Sequence, residues 1–141
     1  MSASDAALPF FVYGTLRSGG RNHAAHLAGR CTDIRAAVLE GAALHDGPGF
    51  PYAVPDATPG RRIVGELATV RPGAYAVALE TLDRLEDCRA DGTGLYVRRL
   101  MVVRTATGEP REAWVYLAGP SAEARLRARP ALIESGDWVE G

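Results

Sequence analysis

Glu86 is the residue whose place in the sequence most favours acid–base chemistry. A helix is predicted over about residues 74–86, and four of its side chains recur at steps of four, three and four, which puts them on one face: Tyr75, Leu79, Leu82 and Glu86. A carboxylate on an apolar face loses hydration, so its pKa should rise towards values useful for proton transfer. Taken alone, the pattern favours a structural role, either as a helix-end carboxylate or in an ion pair with Arg98 or Arg99.

A second candidate is the turn that follows the first apolar run. Residues 8–13 predict a buried strand, which Gly14 ends. Consecutive backbone N–H groups in such a turn suit a carboxylate or an oxyanion, and glycine lets the chain turn without a Cβ clash. Tyr-Gly-Thr-Leu at residues 13–16 is by itself more typical of an ordinary turn, because no dinucleotide-binding or Walker pattern accompanies it.

Other residues with possible chemistry give weaker signals. Tyr96 and Tyr116 fit cross-strand core aromatics as well as they fit a site. His23 and His26 are three residues apart, a spacing that could share a metal, but His45 is distant in sequence. Surface or capping roles are favoured for these histidines, and we predict no metal site.

Regular elements are predicted around these candidates. Strands are expected at residues 8–13, 32–44, 63–70, 95–104 and 112–117, the last two forming a hairpin, and short helices are expected after Asn22 and after Pro120. The strand at 63–70 should place Glu66 on the face opposite Leu67. Residues 46–60 hold four prolines and three glycines, so we predict a long loop with little regular structure.

Six short motifs, in this order and spacing, are specific when taken together. They are Phe11-Val12-Tyr13-Gly14-Thr15-Leu16-Arg17, Asn22-His23 with Leu27, Gly65-Glu66-Leu67, Leu82-Asp83-Arg84-Leu85-Glu86, Tyr96-Val97-Arg98-Arg99 and Trp114-Val115-Tyr116. Over nearly its whole length the chain resembles the γ-glutamylcyclotransferase-like (AIG2-like) family. Glycine commonly follows that family's glutamate, whereas Asp87 and then Cys88 follow here. This departure favours the γ-glutamylamine cyclotransferase branch and its bacterial relatives.

The resemblance implies an α+β fold in which a mixed, strongly curved sheet approaches a small β-barrel with a few peripheral helices. It implies an enzyme without a cofactor, which releases 5-oxoproline and a free amine from a γ-glutamyl amide or amine. The substrate's α-amine would attack its own γ-carbonyl, with Glu86 as the acid/base. In that family the loop that corresponds to Tyr13, Gly14, Thr15 and Leu16 binds the glutamyl part of this small-molecule substrate. We predict Tyr96 and Tyr116 as further substrate-binding residues, with Tyr116 adding a phenolic hydrogen bond.

Length, composition and charge indicate the number of domains and the kinds of partner that we expect. The 141 residues fit a single domain, with flexible ends expected at 1–7 and 137–141. A net charge of -1 argues against a nucleic-acid partner. Cys31 and Cys88 form no C-x-x-C pair, and no apolar run is long enough for a membrane span. We expect a cytoplasmic protein, a monomer or weak homodimer, with neither nucleic acid nor membrane as partner.

Two alternatives to an enzyme stay open at this point. A binding or regulatory domain would keep the pocket for γ-glutamyl compounds without turning them over. A purely structural domain would lock Glu86 in a salt bridge and would have no cavity beside Tyr13. The two features to examine are therefore the partners of Glu86 and the space around residues 13–16.

Overall fold

The computed structural model describes residues 7–47 and 49–138. Within these ranges the chain forms seven strands, β1 (Phe10–Val12), β2 (Cys31–Glu40), β3 (Ala42–His45), β4 (Tyr52–Pro55), β5 (Arg62–Val70), β6 (Tyr96–Thr105) and β7 (Pro110–Ala118). It also forms three α-helices, α1 (His23–His26), α2 (Tyr75–Leu85) and α3 (Pro120–Ala128), and one turn of 3-10 helix at Pro72–Ala74 leads into α2. None of the described helices has the length and apolar character needed to cross a bilayer.

Five strands close into a barrel in the order β1-β5-β2-β6-β7. Four of the five contacts between neighbours are antiparallel, and the fifth, between β1 and β7, is parallel. The parallel contact is short and pairs Phe10 with Trp114 and Phe11 with Val115. The predicted α+β fold, with its mixed and strongly curved sheet, is confirmed.

Side chains alternate between the two faces of the barrel wall, as the period of a strand requires. Phe11 belongs to a buried cluster that contains no residue of the described α-helices and that fills the barrel. Phe10 and Val12 belong to a second cluster, which includes residues of α2 and lies outside the wall. The largest fully buried side chains of the inner cluster are Phe11, Leu39, Leu44, Ile63, Leu67, Val103 and Val115.

Helix α2 covers the outer face of the barrel with its apolar stripe. Tyr75, Ala78 and Leu82 are buried there, while Val77 on the opposite side of the helix is 56% exposed. The Tyr75 hydroxyl donates a hydrogen bond of 2.7 Å to the carbonyl of Leu8, just before β1. The predicted burial direction of this helix is confirmed, so its last turn points Glu86 towards the end of β1.

The segment predicted as one strand at residues 32–44 is instead two strands. Gly41 lies between them with a φ of +79°, a left-handed conformation that glycine adopts without a Cβ clash. The chain therefore changes direction, and β3 leaves the barrel to pair with β4.

The predicted long loop at residues 46–60 is interrupted by β4. This short strand pairs with β3 from Ala42 opposite Pro55 to His45 opposite Tyr52. Its side chains at Tyr52, Ala53 and Val54 are buried. The prediction missed β4 because the four prolines suggested irregular backbone, whereas a two-stranded pairing leaves room for a proline at a strand end.

The end of α2 is a Schellman motif that fixes where Glu86 stands. The N–H of Cys88 bonds to the carbonyl of Asp83 at 2.8 Å, and the N–H of Asp87 bonds to the carbonyl of Arg84 at 3.1 Å. Asp87 takes the left-handed position with a φ of +50°, a conformation that glycine adopts more readily than residues with a Cβ. Here the Asp87 carboxylate accepts a hydrogen bond of 3.1 Å from the N–H of Leu95.

The expected flexible ends fall mostly on residues 1–6 and 139–141, which lie outside the described residues. Within the described part, the Asp137 carboxylate forms an ion pair with Arg17. Trp138 packs against the inner cluster.

Asp87→Ala and Asp87→Gly make a matched pair that tests the strain at the helix end. Both changes remove the carboxylate that accepts from Leu95, but only alanine keeps a Cβ at positive φ. We therefore expect Asp87→Ala to melt about 3–5 °C below Asp87→Gly, as measured by thermal unfolding followed by circular dichroism. Equal melting temperatures would contradict the strained geometry.

Candidate active site

A cavity opens where β1 and β7 end and β6 begins, at one end of the barrel. It encloses about 350 Å³ of space not filled by atoms, part of which is open solvent at its mouth. Residues from β1, the turn after it, the loop before β4, the end of α2 and the hairpin line it: Phe11, Val12, Tyr13, Gly14, Thr15, Leu16, Phe50, Pro51, Glu86, Tyr96 and Tyr116. The seven residues predicted from the sequence therefore lie around a single cavity.

The turn at Gly14–Arg17 is held by its own backbone and by the residues that follow it. The N–H of Arg17 bonds to the carbonyl of Gly14 at 3.1 Å, which closes the turn. Asn22 stands at the N-terminal cap position of α1, but its side chain does not cap the helix. Its amide donates instead to the Thr15 hydroxyl at 2.8 Å, and its backbone N–H donates to the Thr15 carbonyl at 2.9 Å.

Two further contacts fix the turn from the outside. A ring nitrogen of His23 lies 2.9 Å from the carbonyl oxygen of Leu16. The Glu66 carboxylate, on the outer face of β5, accepts a hydrogen bond of 2.6 Å from the N–H of Ser18. The position of Glu66 confirms the predicted alternation with Leu67, but its role in holding the turn was not predicted.

This arrangement leaves three consecutive backbone donors at the cavity. No described residue accepts a hydrogen bond from the N–H groups of Gly14, Thr15 or Leu16. All three residues line the cavity. Consecutive backbone N–H groups without a protein acceptor are chemically suited to bind an anion, since a buried donor without a partner is costly.

Gly14 is required for close packing at the mouth of the cavity. A Cβ on this residue would stand 2.9 Å from the Cδ of Pro51, closer than such atoms approach. The turn and the loop before β4 can therefore face each other across the cavity only if residue 14 has no side chain.

Glu86 is the C-terminal cap of α2 and lies at the cavity. Burial raises its pKa from the ordinary 4.5 to about 7. Among the described residues its carboxylate has no ion-pair partner. The two ion pairs considered for Glu86, with Arg98 and with Arg99, are not formed. The Arg98 guanidinium pairs with the Asp83 carboxylate at 2.9 Å, and the Arg99 guanidinium donates to the backbone carbonyl of Arg98.

Three tyrosines line the cavity, and each hydroxyl donates a hydrogen bond to another part of the protein. Tyr13 donates to the carbonyl of Tyr116 and accepts from the N–H of Ala53. Tyr96 donates to the carbonyl of Pro51 at 2.6 Å, and Tyr116 donates to the Asp83 carboxylate at 2.6 Å. Burial raises the pKa of all three hydroxyls, and the nearby charge of Glu86 adds to the shift. They therefore stay protonated at neutral pH.

Several contributors to the site were not predicted as site residues, among them Phe11 and Val12 of β1. Phe50 and Pro51 reach the cavity from the loop before β4, and Glu66 and Asp83 hold the turn and Tyr116 from outside it. Glu66 and Asp83 do lie in the short motifs that carry the family resemblance. Nothing in the local pattern of residues 46–60 indicated which part of that loop faces the cavity.

The described residues offer no cluster of three or more His, Cys, Asp or Glu side chains that could hold a metal ion. His23 supports the turn, and His45 is the last residue of β3, where a ring nitrogen accepts a hydrogen bond of 3.1 Å from the N–H of Ala131.

A family model described as "Gamma-glutamyl cyclotransferase, AIG2-like" matches residues 10–140. None of the curated proteins matches the chain by sequence.

Solved structures share the fold along most of the chain. YkqA from Bacillus subtilis is 25% identical with a TM-score of 0.66; the match covers 94% of this chain but only 39% of YkqA. Uncharacterized protein PH0828 from Pyrococcus horikoshii is 27% identical with a TM-score of 0.59, and the match covers 93% of this chain and 89% of that one. An AIG2-like protein from Mus musculus is 25% identical with a TM-score of 0.63, covering 82% of both chains.

The raised pKa of Glu86 makes stability depend on pH. Because the folded protein binds this proton more tightly than the unfolded chain, stability falls as pH rises from 4.5 through 7. Glu86→Gln removes that dependence, so we expect the variant to match the wild type near pH 4 and to exceed it by about 1–3 kcal/mol at pH 8.

Denaturant unfolding at both pH values measures this difference. Glu80→Gln is the control, because Glu80 lies on the exposed face of the same helix, paired with Arg84. It should show a small difference that is the same at both pH values. A Glu86→Gln variant that is less stable than the wild type at pH 8 would contradict the burial of this carboxylate.

Proposed function

Because the chain belongs to the γ-glutamyl cyclotransferase, AIG2-like family, we propose that it converts a γ-glutamyl amide or amine into 5-oxoproline and a free amine. One observation carries the proposal: a carboxylate with a pKa of about 7 and three unpaired backbone N–H groups line the same cavity. A proton acceptor and an anion site are what this cyclisation requires of a protein.

The N–H groups of Gly14, Thr15 and Leu16 bind the α-carboxylate of the substrate. A carboxylate is fully charged before the reaction begins, so a nest of three donors can hold it from the moment of binding. Anchoring one end of the glutamyl chain lets the cavity walls fold the rest of it. The α-nitrogen then lies close to the γ-carbonyl carbon, which supplies the proximity that a five-membered ring closure needs.

Glu86 moves the protons. The α-nitrogen arrives as an ammonium group, gives a proton to the Glu86 carboxylate and attacks the γ-carbonyl carbon, which forms the new C–N bond. It loses a second proton as the ring amide forms. The bond to the leaving nitrogen breaks, and that nitrogen gains two protons to depart as an ammonium ion. Protons therefore balance, and a pKa of about 7 suits a group that must both accept and return them.

The cavity supports a small γ-glutamyl head more than a large ligand. Its volume of about 350 Å³ includes open solvent at the mouth, so only the head group would lie inside while the leaving group extends outward. Phe50 and Pro51 line the same cavity from the loop before β4, so this loop lies within reach of the leaving group. A cytoplasmic location and a monomeric or weakly dimeric state stay predictions from the sequence.

A screen of γ-glutamyl amides, dipeptides and amines for 5-oxoproline release tests the reaction. We expect at least one class to be turned over, and Glu86→Gln to lower kcat/KM by about 10²–10⁴-fold, the usual contribution of a general acid–base. Glu80→Gln, on the exposed face of α2, should keep wild-type activity. Binding of these compounds without any 5-oxoproline would overturn the proposed enzyme and favour a binding domain.

The pH dependence of kcat/KM gives a second check with the active substrate. The carboxylate form of Glu86 is the one that accepts a proton, so kcat/KM should rise about tenfold per pH unit below pH 7 and level off above it. The profile of Glu80→Gln should coincide with that of the wild type. A limb near pH 4.5, the ordinary value for glutamate, would contradict the role of burial in tuning Glu86.

A further inference from the structure

The hydrogen bonds of the cavity tyrosines all point the same way. The Tyr13 and Tyr96 hydroxyls donate to backbone carbonyls, and the Tyr116 hydroxyl donates to the Asp83 carboxylate. Carbonyl and carboxylate oxygens can only accept, and a hydroxyl has a single proton to give. None of the three hydroxyls therefore has a proton left for a ligand in the cavity.

The Asp83 carboxylate also accepts hydrogen bonds from Arg98. Its two oxygens accept from the Nε and an Nη of Arg98 at 2.9 and 3.3 Å, in the two-pronged geometry of a guanidinium–carboxylate pair. The Arg98 guanidinium in turn lies 4.4 Å above the ring of Trp114, whose Nε1 donates to the Tyr75 hydroxyl at 3.2 Å. The same carboxylate accepts the hydrogen bond of 2.6 Å that the Tyr116 hydroxyl donates.

The cavity consequently has a donor side and an acceptor side. Gly14, Thr15 and Leu16 present N–H donors. Tyr96 and Tyr116 keep lone pairs that can only accept, and the carboxylate of Glu86 is close enough to both hydroxyls to raise their pKa further. Tyr13 differs from them, because its hydroxyl already accepts from Ala53.

We propose that Asp83 is a positioning residue, which accepts the hydrogen bond that the Tyr116 hydroxyl donates and so leaves Tyr116 as a hydrogen-bond acceptor for the α-ammonium group of the substrate. This inference rests on the proposed function, since it names how that substrate's head group is held. The sequence alone suggested that Tyr116 would add a hydrogen bond in the site. The Asp83 contact sets its direction, because a hydroxyl that donated into the cavity would repel an ammonium group.

Tyr116 and Glu86 then each accept a hydrogen bond from the α-ammonium group. An ammonium group has three N–H donors, of which Glu86 takes the one that is transferred. The hydroxyl oxygen of Tyr116 accepts a second and keeps the nitrogen beside Glu86. A hydrogen bond to a charged group contributes more than one between neutral groups, so its loss should be measurable in ligand binding.

Two non-cyclisable ligands measure this preference directly. L-Methionine sulfone has an α-ammonium group and a sulfonyl group in place of the γ-carbonyl, and 4-(methylsulfonyl)butanoate is the same molecule without the nitrogen. The ratio of their Kd values, from calorimetry on the folded protein, reports how strongly the cavity binds the ammonium group. The wild type should prefer the amino compound.

Four variants distinguish the role of Asp83 as hydrogen-bond acceptor for Tyr116 from its role as ion-pair partner of Arg98. Tyr116→Phe and Asp83→Ala should each reduce the preference about tenfold or more, because one removes the accepting oxygen and the other frees its proton to turn into the cavity. Asp83→Asn should restore it, since its Oδ1 can still accept from both Tyr116 and Arg98. Arg98→Ala should also retain the preference within about twofold, because it removes the ion pair but leaves the Asp83 carboxylate.

The outcomes distinguish this inference from the proposed function. If the wild type releases 5-oxoproline but Tyr116→Phe and Asp83→Ala keep the full preference, Asp83 does not position Tyr116 and only this inference fails. If Asp83 merely braces α2, the variants will weaken both ligands equally. If Asp83→Ala does not fold, the ratio of the two Kd values in Tyr116→Phe shows whether the Tyr116 oxygen accepts from the ammonium group. Absence of 5-oxoproline release by the wild type overturns the proposed function itself.

Discussion

The parallel contact between β1 and β7 is the constraint on which the site depends. Only two residue pairs form it, supplemented by the N–H of Trp114 bonding to the Pro9 carbonyl and by the Tyr13 hydroxyl bonding to the Tyr116 carbonyl. This contact closes the barrel, because the other four strand pairings alone would leave an open sheet. It also brings the turn after β1 beside the end of β7, so that backbone donors from one segment face a tyrosine from another.

A second consequence of closure is that hydrogen-bond donors and acceptors come to the cavity from different segments of the chain. Donors come from a turn whose carbonyls are engaged by Arg17, Asn22 and His23, and acceptors come from side chains whose protons are engaged elsewhere. Such preorganisation costs nothing when the ligand binds, because the groups are already oriented. This arrangement supports the proposed substrate, which carries both an anionic and a cationic group.

Much of the fold and part of the site could be predicted from the sequence. The stripe that ends in Glu86 repeats within one helix, and the turn at Gly14 follows directly from an apolar strand, so neighbouring residues carry both signals. β4 could not be predicted in this way, because its proline-rich segment is held by pairing with β3. The link from Asp83 to Tyr116 joins residues 33 positions apart and depends on how α2 packs on the barrel.

The family resemblance, the Glu86 carboxylate and the turn after β1 could all be recognised in the sequence. The chemical properties of these residues depend on the fold around them. Glu86 has a pKa of about 7 because packing removes water from it, and Tyr116 accepts because Asp83 lies behind it. Burial and hydrogen-bond direction are properties of a residue's surroundings, and here those surroundings come from segments distant in the chain.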